Sequence, residues 1–362
     1  MSGLADKIRK SAYTCNASAF IISPAYFFAK ETAHALLPLA VGPAIHTTSL
    51  GKKGFTVMTS PLPHIATIVL AKKDEAGFQK AQDILAPHGS ITVLGQNKAF
   101  DCTLSESFDS TDGAKAFKTE QARILQTLET QGITADVCVQ PGAGRRKGLL
   151  MCDMDSTLIG QECIDELADF AGVKDRVSAI TEQAMRGEID FEGALKARVG
   201  LLKGLDISVL ERCFEDRIHL NAGARILCQT MKALGAKTAI VSGGFTFFTG
   251  RIKEACGFDT DQANILIEKA NKLSGKVGMP ILGREAKFEA LKQASQDIGG
   301  TLNSVAIGDG ANDLAMITAA GLGIAYRAKP AVAAAAHCAI NHSDLTTALY
   351  YQGISEDMFI LD

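Results

Sequence analysis

The sequence predicts an α/β protein built on a doubly wound parallel sheet with a small helical cap, preceded by a ferredoxin-like α+β domain. Three observations carry this. After residue 148, short apolar runs end in acidic or small polar residues, and each is followed by a turn and a helical pattern, as parallel strands buried on both faces require. Before residue 140, apolar runs and helical patterns follow the order strand, helix, strand, strand, helix, strand. Between the two regions lies Gln140-Pro141-Gly142-Ala143-Gly144-Arg145-Arg146-Lys147-Gly148, whose turn formers and basic residues read as a linker.

Residues 1–65 read as an amino-terminal extension without an assigned role, with a helix expected near 25–37 and a strand near 55–59. The ferredoxin-like domain takes 66–140, with strands at 66–70, 91–94, 100–104 and 135–139 and helices at 75–85 and 113–130. That order folds into a four-stranded antiparallel sheet with two helices on one face, the arrangement shared by ACT-like domains. It holds no phosphate loop, metal cluster or paired nucleophile, so it reads as a folding or dimerising module, with a ligand sensor as the alternative. The linker is 141–148 and the α/β domain 149–362. Its strands at 149–152, 238–241 and 304–307 should lie side by side, and ligands in such sheets bind beyond the carboxyl ends of the strands. A largely helical insert at about 160–220 is long enough to cover that crevice as a cap.

At 362 residues the chain exceeds one ordinary domain, and its 47% hydrophobic and 21% charged composition is that of a globular protein. A formal charge of -3, with both signs interspersed, offers no footprint for nucleic acid or an anionic membrane, so a small molecule is the expected partner. Nine cysteines without a C-x-x-C pair argue against a zinc site or a disulfide framework and read as reduced, mostly buried thiols. The apolar run at 17–29 contains Pro24 and stops at Lys30-Glu31, short of the roughly 20 residues that span a bilayer. It also lacks the layout of a secretory signal, so the cytoplasm is the expected location. A homodimer is left open.

The chemistry concentrates at three strand ends. Asp153-Met154-Asp155-Ser156-Thr157 follows the first strand, and because alternate residues near a strand end point the same way, Asp153 and Asp155 both reach the crevice. Two close carboxylates repel unless a cation or a shared proton compensates, which suits magnesium, a hard ion with oxygen ligands; a plain helix cap is the alternative. Gly308-Asp309-Gly310-Ala311-Asn312-Asp313 follows the last strand and adds two carboxylates, without the spacing of a calcium loop. Ser242-Gly243-Gly244, at the middle strand, can aim N–H groups at phosphate oxygens, although alone it is an ordinary turn. Lys287 lies in a helical pattern and could supply a point charge to phosphate, or be a solvated surface residue. Phosphoryl transfer needs this set: an in-line nucleophile, a metal ion, and fixed cations or N–H donors.

Asp-x-Asp-x-Thr after one strand, Ser-Gly after a second, an intervening lysine and Gly-Asp-Gly-x-Asn-Asp after a third together resemble the motif set of the haloacid-dehalogenase phosphatases, over about 148–341. The resemblance implies that Asp153 attacks phosphorus to form an aspartyl phosphate and that Asp155 serves as general acid and base. It further implies magnesium on the Asp153 carboxylate, the Asp155 carbonyl and the Asp309 carboxylate, with Asp313 in support, and phosphate held by Ser242, Gly243 and Lys287, with Asn312 on the substrate side. Within the family the insert is similar to that of phosphoserine phosphatases, through Glu162-Cys163-Ile164-Asp165-Glu166, Asp190-Phe191, Arg198-Val199 and Leu201-Leu202-Lys203. Phosphoserine is the substrate so implied, its ammonium facing Glu162 and its carboxylate Arg198. Read without the resemblance, Glu162 could be a first-turn helix acid and Arg198 part of a surface ion pair. Phe191 and Met185 would exclude water from the closed site, or simply pack the cap.

Two rival readings stay open. A phospho-receiver module also uses strand-end carboxylates and a lysine, but has no use for a second acid two residues after the nucleophile. A related phosphatase or phosphotransferase acting on another small phosphoester would fit the same residues. All seven histidines lie outside the three motifs, so no histidine phosphatase is proposed.

Overall fold

The computed structural model describes residues 63–105, 113–186 and 188–361, and the helix and strand expected at 25–37 and 55–59 lie outside the described residues. The first region contains β1 (His64–Leu70), α1 (Glu75–Leu85), β2 (Gly89–Gly95), β3 (Ala99–Leu104), α2 (Gly113–Thr130) and β4 (Ala135–Pro141). Its sheet has the order β2-β3-β1-β4 and is antiparallel throughout, as the strand and helix order predicts. Alternation divides β1 between two faces. Ala66, Ile68 and Leu70 pack with Phe78, Ala81 and Leu85 of α1 and Ile124 and Leu128 of α2. Val69 points the other way and joins Ala99, Cys138, Tyr326, Cys338 and Tyr350 in a larger core.

An antiparallel sheet of this kind usually leaves one face to water. Here helices cover one face and the second region covers the other. The contact is polar as well as apolar. Arg145, in the segment read as a linker, lays its guanidinium on Asp101 of β3 with Nη1–Oδ2 2.6 Å and Nη2–Oδ1 3.0 Å, both side chains about nine-tenths buried. The same guanidinium donates to the carbonyls of Tyr350 and Tyr351, and Gln140 Nε2 donates to the Tyr351 carbonyl at 2.6 Å. All described residues belong to one compact unit, Thr59–Asp362.

The second region opens with β5 (Leu149–Cys152), followed by α3 (Cys163–Phe170), α4 (Lys174–Met185), α5 (Phe191–Leu201), α6 (Ser208–Arg217) and α7 (Ala224–Ala233). It continues through β6 (Lys237–Phe245), α8 (Thr246–Cys256), β7 (Thr260–Asn264), a hairpin of β8 (Leu266–Lys269) and β9 (Lys272–Val277), and α9 (Arg284–Ala294). It ends with β10 (Ser304–Gly308), α10 (Leu314–Ala319), β11 (Leu322–Tyr326), α11 (Pro330–Ala335), β12 (Cys338–Ile340) and α12 (Thr347–Tyr351). Six strands form a parallel sheet in the order β12-β11-β10-β5-β6-β7. Because β5 is flanked by β10 and β6, the strand ends carrying Asp153, Asp309 and Ser242 are neighbours. Helices α3 to α6 occupy the insert after β5, and the chain re-enters the body where Leu220 pairs with Ile159. Among the described residues no helix is long and apolar enough to cross a membrane.

Candidate active site

Asp153 stands immediately beyond β5 and continues its ladder, its N–H donating to the Ile307 carbonyl at 2.9 Å. The residue is 4% exposed, and Oδ1 accepts the Met154 N–H at 2.7 Å. The strand then stops. A tight turn over Met154–Leu158 follows, closed by Ile159 N–H donating to the Met154 carbonyl and carrying Ser156 at a left-handed φ of 53°. This corrects the expected route of Asp155 to the crevice: the turn, not continued strand alternation, aims it. Asp155 Oδ1 accepts the Cys163 N–H at 3.1 Å, and a Cβ on Gly244 would lie 2.6 Å from Asp155 Oδ2, so any larger residue there would displace the Asp155 carboxyl.

On the other side of Asp153 lies Lys287 of α9. The residue is fully buried, with Nζ 2.7 Å from Asp153 Oδ2 and 2.5 Å from Asp313 Oδ1. Its position excludes the solvated alternative. Burial alone would depress the ammonium, but the Asp153 and Asp313 carboxylates outweigh it and raise the pKa above the usual lysine value. Asp313 also accepts the Gly310 N–H at 3.0 Å and tucks under Gly308, where a Cβ would come 2.5 Å from the carboxyl carbon. Asp309 is half-buried, with the Thr157 hydroxyl 3.5 Å from its Oδ1. Oxygens of Asp153, Asp309 and Asp313 come within 4.8 Å of one another. Three hard donors around one point, one of them facing the crevice, fit a small divalent cation.

Burial, followed by the charge of Asp153, pushes the carboxyls of Asp309 and Asp313 up to about 7. Asp155 is raised well above the carboxylate range by burial, then by Glu162 and Asp153. Asp153 and Asp155, two positions apart, therefore have different surroundings: one is paired with a cation, the other held toward its protonated form. That division suits a nucleophile and a proton donor.

Ser242, in β6, is buried, and its Oγ accepts the Gly244 N–H at 3.0 Å. Reading along the sequence missed what fixes this loop. Asn264, buried at the end of β7, donates to the Gly243 carbonyl at 2.9 Å, and its Oδ1 accepts the Leu282 N–H at 2.7 Å. It thereby ties the Ser-Gly-Gly loop to the segment that leads into α9 and Lys287. The Phe191 ring, 37% exposed at the start of α5, lies against the backbone at Gly243 and Gly283 and roofs this corner. Nothing is described of the Met185 side chain. Asn312 flanks the Asp309 turn and is half-buried.

Glu162 occupies the N-cap position of α3 but its side chain makes no cap bond; Oε1 accepts the Ser156 hydroxyl at 2.7 Å, and burial raises its pKa. Arg198, on α5, is partly buried, and its hydrogen bonds among the described residues are long, 3.4 Å to the Ala194 carbonyl and 3.4 Å to Thr181 Oγ1. Burial lowers its pKa, against the pull of Asp165, Glu162 and Asp155. Arg198 therefore does not take the surface ion pair open to it, and Glu162, at the start of α3 where a helix acid would stand, turns its carboxylate to Ser156. Cys152 and Cys163 are buried free thiols, as a packing role requires.

Residues 150–318 match the family described as haloacid dehalogenase-like hydrolase. The chain is 43% identical over 243 residues to a phosphoserine phosphatase of Streptomyces coelicolor, a match covering 66% of this chain and 59% of that one. It therefore spans about three fifths of that relative's length. A solved haloacid dehalogenase family hydrolase from Salmonella enterica serovar Typhi superposes with a TM-score of 0.69 at 32% identity, covering 81% of this chain and 99% of the other. A solved phosphoserine phosphatase, described as a phospho-aspartyl intermediate analogue, matches with a TM-score of 0.53 at 42% identity, covering 57% and 99%.

Proposed function

Because the chain belongs to the phosphoserine phosphatases among the haloacid dehalogenase-like hydrolases, we propose that it hydrolyses O-phospho-L-serine to L-serine and phosphate with magnesium, as the last step of serine formation. One observation supports this above the rest: a cation-paired carboxylate, Asp153, stands beside a second carboxyl, Asp155, that is held toward its protonated form. In this reading an Asp153 oxygen attacks phosphorus, and Asp155 gives its proton to the departing serine oxygen. Asp155 then takes a proton from water, whose oxygen attacks the aspartyl phosphate and releases phosphate. Lys287, the Ser242 hydroxyl and the Gly243 N–H hold the phosphate oxygens, and Asn312 lines the same side. Glu162 faces the substrate ammonium and Arg198 its carboxylate. Asp153, the Asp155 carbonyl and Asp309 would hold magnesium, with Asp313 in support; the ion supplies charge neutralisation on the phosphate oxygens.

The test is phosphate release from phosphoserine, phosphothreonine and simple sugar phosphates, with magnesium and then with chelator. Preference for phosphoserine that vanishes on chelation is expected. Magnesium-dependent release from a sugar phosphate instead would overturn the roles of Glu162 and Arg198.

Replacing Arg198 by Ala should lower kcat/KM for phosphoserine about thirtyfold or more, the cost of removing one partner of a desolvated charge pair. A phosphomonoester without a carboxylate should be hydrolysed as before. An unchanged kcat/KM for phosphoserine would remove Arg198 from the substrate site.

The raised carboxyls give the metal a pH dependence of defined sign. Binding must displace protons held with pKa values of about 7 by Asp309 and Asp313. Going from about pH 8 to about pH 6 should therefore weaken magnesium activation by about tenfold per displaced proton. Stability of the metal-free protein runs in the opposite direction. A carboxyl whose folded pKa exceeds its unfolded value contributes stability at low pH that is lost as pH rises through about 7. Magnesium should accordingly raise the thermal midpoint more at about pH 8 than at about pH 6, and an equal shift at both would contradict the assignment.

The proposed organisation keeps an extension of unassigned role over 1–65, a ferredoxin-like domain over 66–140, a connecting segment over 141–148 and the phosphatase domain over 149–362, with its cap at about 160–220. A reducing compartment, the cytoplasm, suits the eight described cysteines, all of them free and buried.

A further inference from the structure

The ferredoxin-like region contains a buried carboxylate that the proposed reaction does not use. Asp136, on β4, is 2% exposed. Its oxygens accept three successive backbone N–H groups from the loop after β12: Asn341 at 2.8 Å, His342 at 3.2 Å and Ser343 at 2.8 Å. The Ser343 hydroxyl adds a fourth bond at 2.5 Å and lies 2.5 Å from the Thr347 hydroxyl. A carboxylate in a nest of consecutive N–H groups makes strong, charge-assisted bonds. The donors come from residues some 205 to 207 positions further along the chain, so the bonds join the two regions of the fold.

The loop held in this way does not end in solvent. Ser343, Leu345, Thr346 and Thr347 are all buried, and the Leu345 N–H donates to the Ala222 carbonyl at 3.1 Å. Thr346 sits against Gly223, which has a left-handed φ of 81° and leaves no room for a Cβ, the Thr346 nitrogen lying 2.7 Å from where it would stand. Next to these residues is Asn221, where the helical insert returns to the body. Its N–H donates to the Leu158 carbonyl at 2.8 Å and its Nδ2 to the Thr157 carbonyl at 2.8 Å. Thr157 and Leu158 close the turn that carries Asp153 and Asp155, and the Thr157 hydroxyl reaches toward Asp309.

We propose that the ferredoxin-like region positions the catalytic turn: Asp136 fixes the 341–347 loop, that loop supports the 221–223 turn, and Asn221 holds the carbonyls of Thr157 and Leu158. Asp136 and Asn221 are positioning residues in this scheme and touch no substrate. The helix-free face of the ferredoxin-like sheet is then occupied by a structural task of the phosphatase itself, which leaves it unavailable as a ligand surface. The proposal rests on the reading of the crevice as a phosphoryl-transfer site only for its kinetic consequence.

The test uses the full chain with Asp136→Asn, which keeps the shape but removes the charge, and Ser343→Ala, which removes one of four donors and leaves the fold in place if the first variant does not fold. The Arg145 and Gln140 bonds to Tyr350 and Tyr351 remain in both. Hydrogen exchange read by mass spectrometry should rise not only at 341–347 but also at 154–160. At a temperature where the variants are fully folded, kcat should fall about two- to thirtyfold with KM nearly unchanged, the range for substitutions along a contiguous packed network. Combining Asp136→Asn with Asn221→Ala should give less than the product of the two losses, because both act on one support. Faster exchange confined to 341–347 with kcat unchanged, or a product of independent effects, would overturn the proposal and leave only a stabilising contact. If the unaltered protein proves inactive on phosphoserine, the functional reading fails, while the exchange pattern still decides the positioning role.

Discussion

Replacement of Asp153 by Asn should reduce phosphate release from phosphoserine by at least about a thousandfold, on the order of 4 kcal/mol or more in barrier. The amide cannot attack phosphorus, and the variant also loses one of the three carboxylates that converge near the proposed metal position. Stability should survive. Asp153 is among the causes that push Asp309 and Asp313 up to about 7, so its removal relieves repulsion in the metal-free protein and offsets the lost bond to Lys287 at 2.7 Å. The thermal midpoint without metal should stay within a few degrees of the unaltered protein, while the magnesium-induced shift shrinks. Measuring turnover and both midpoints separates a missing nucleophile from a damaged fold. Substantial turnover in a folded Asp153→Asn variant would exclude attack by this carboxylate.

The carboxylates that gather at the strand ends were legible because acidic side chains have little reason to follow an apolar parallel strand unless they face a crevice. Asp153, Asp309 and Asp313 meet for that reason. Lys287 was less legible, since nothing in an isolated helical pattern distinguishes a buried lysine from a solvated one. Its burial follows from Asp153 and Asp313, which are distant in sequence. Asn264 escaped because β7 is an edge strand of mixed polarity, Thr260-Asp261-Gln262-Ala263-Asn264, with no alternation to mark it. The β8-β9 hairpin escaped for a related reason. Its turn residues Ala270 and Asn271 both have positive φ, at 52° and 58°, yet the Asn-Gly or Asp-Gly pair that normally announces such a turn is absent. In the ferredoxin-like region the order of elements could be read from periodicity alone. Its second face could not: Thr67, Asp101 and Asp136 are polar residues on strands that nothing in the sequence marks as buried, and they are buried against Arg145 and the loop at 341–343.

Lys287→Met should be the second severe variant, damaging stability and turnover by separable routes. Removing the ammonium leaves Asp153 and Asp313 buried without their counter-ion, and breaking a buried pair in this way costs about 3–5 kcal/mol. The loss should depend on pH. Without Lys287 the attraction that holds Asp309 and Asp313 down disappears, so their pKa values rise further above about 7. A carboxyl raised in the folded state contributes stability at low pH and loses it as pH rises through its folded pKa. The metal-free variant should therefore be weakest at about pH 8 and recover toward about pH 6. Magnesium brings positive charge to the same carboxylates and should restore much of the midpoint, yet turnover should stay low because no protein cation remains on the phosphate. Lys287→Arg should not rescue turnover: the ammonium fits between two oxygens at 2.7 and 2.5 Å in a fully buried slot, and a planar guanidinium needs a wider one. Midpoints with and without magnesium at both pH values, together with kcat/KM, check this directly. If magnesium restored turnover along with stability, Lys287 would be a neutralising residue only and would lose its proposed hold on the phosphate.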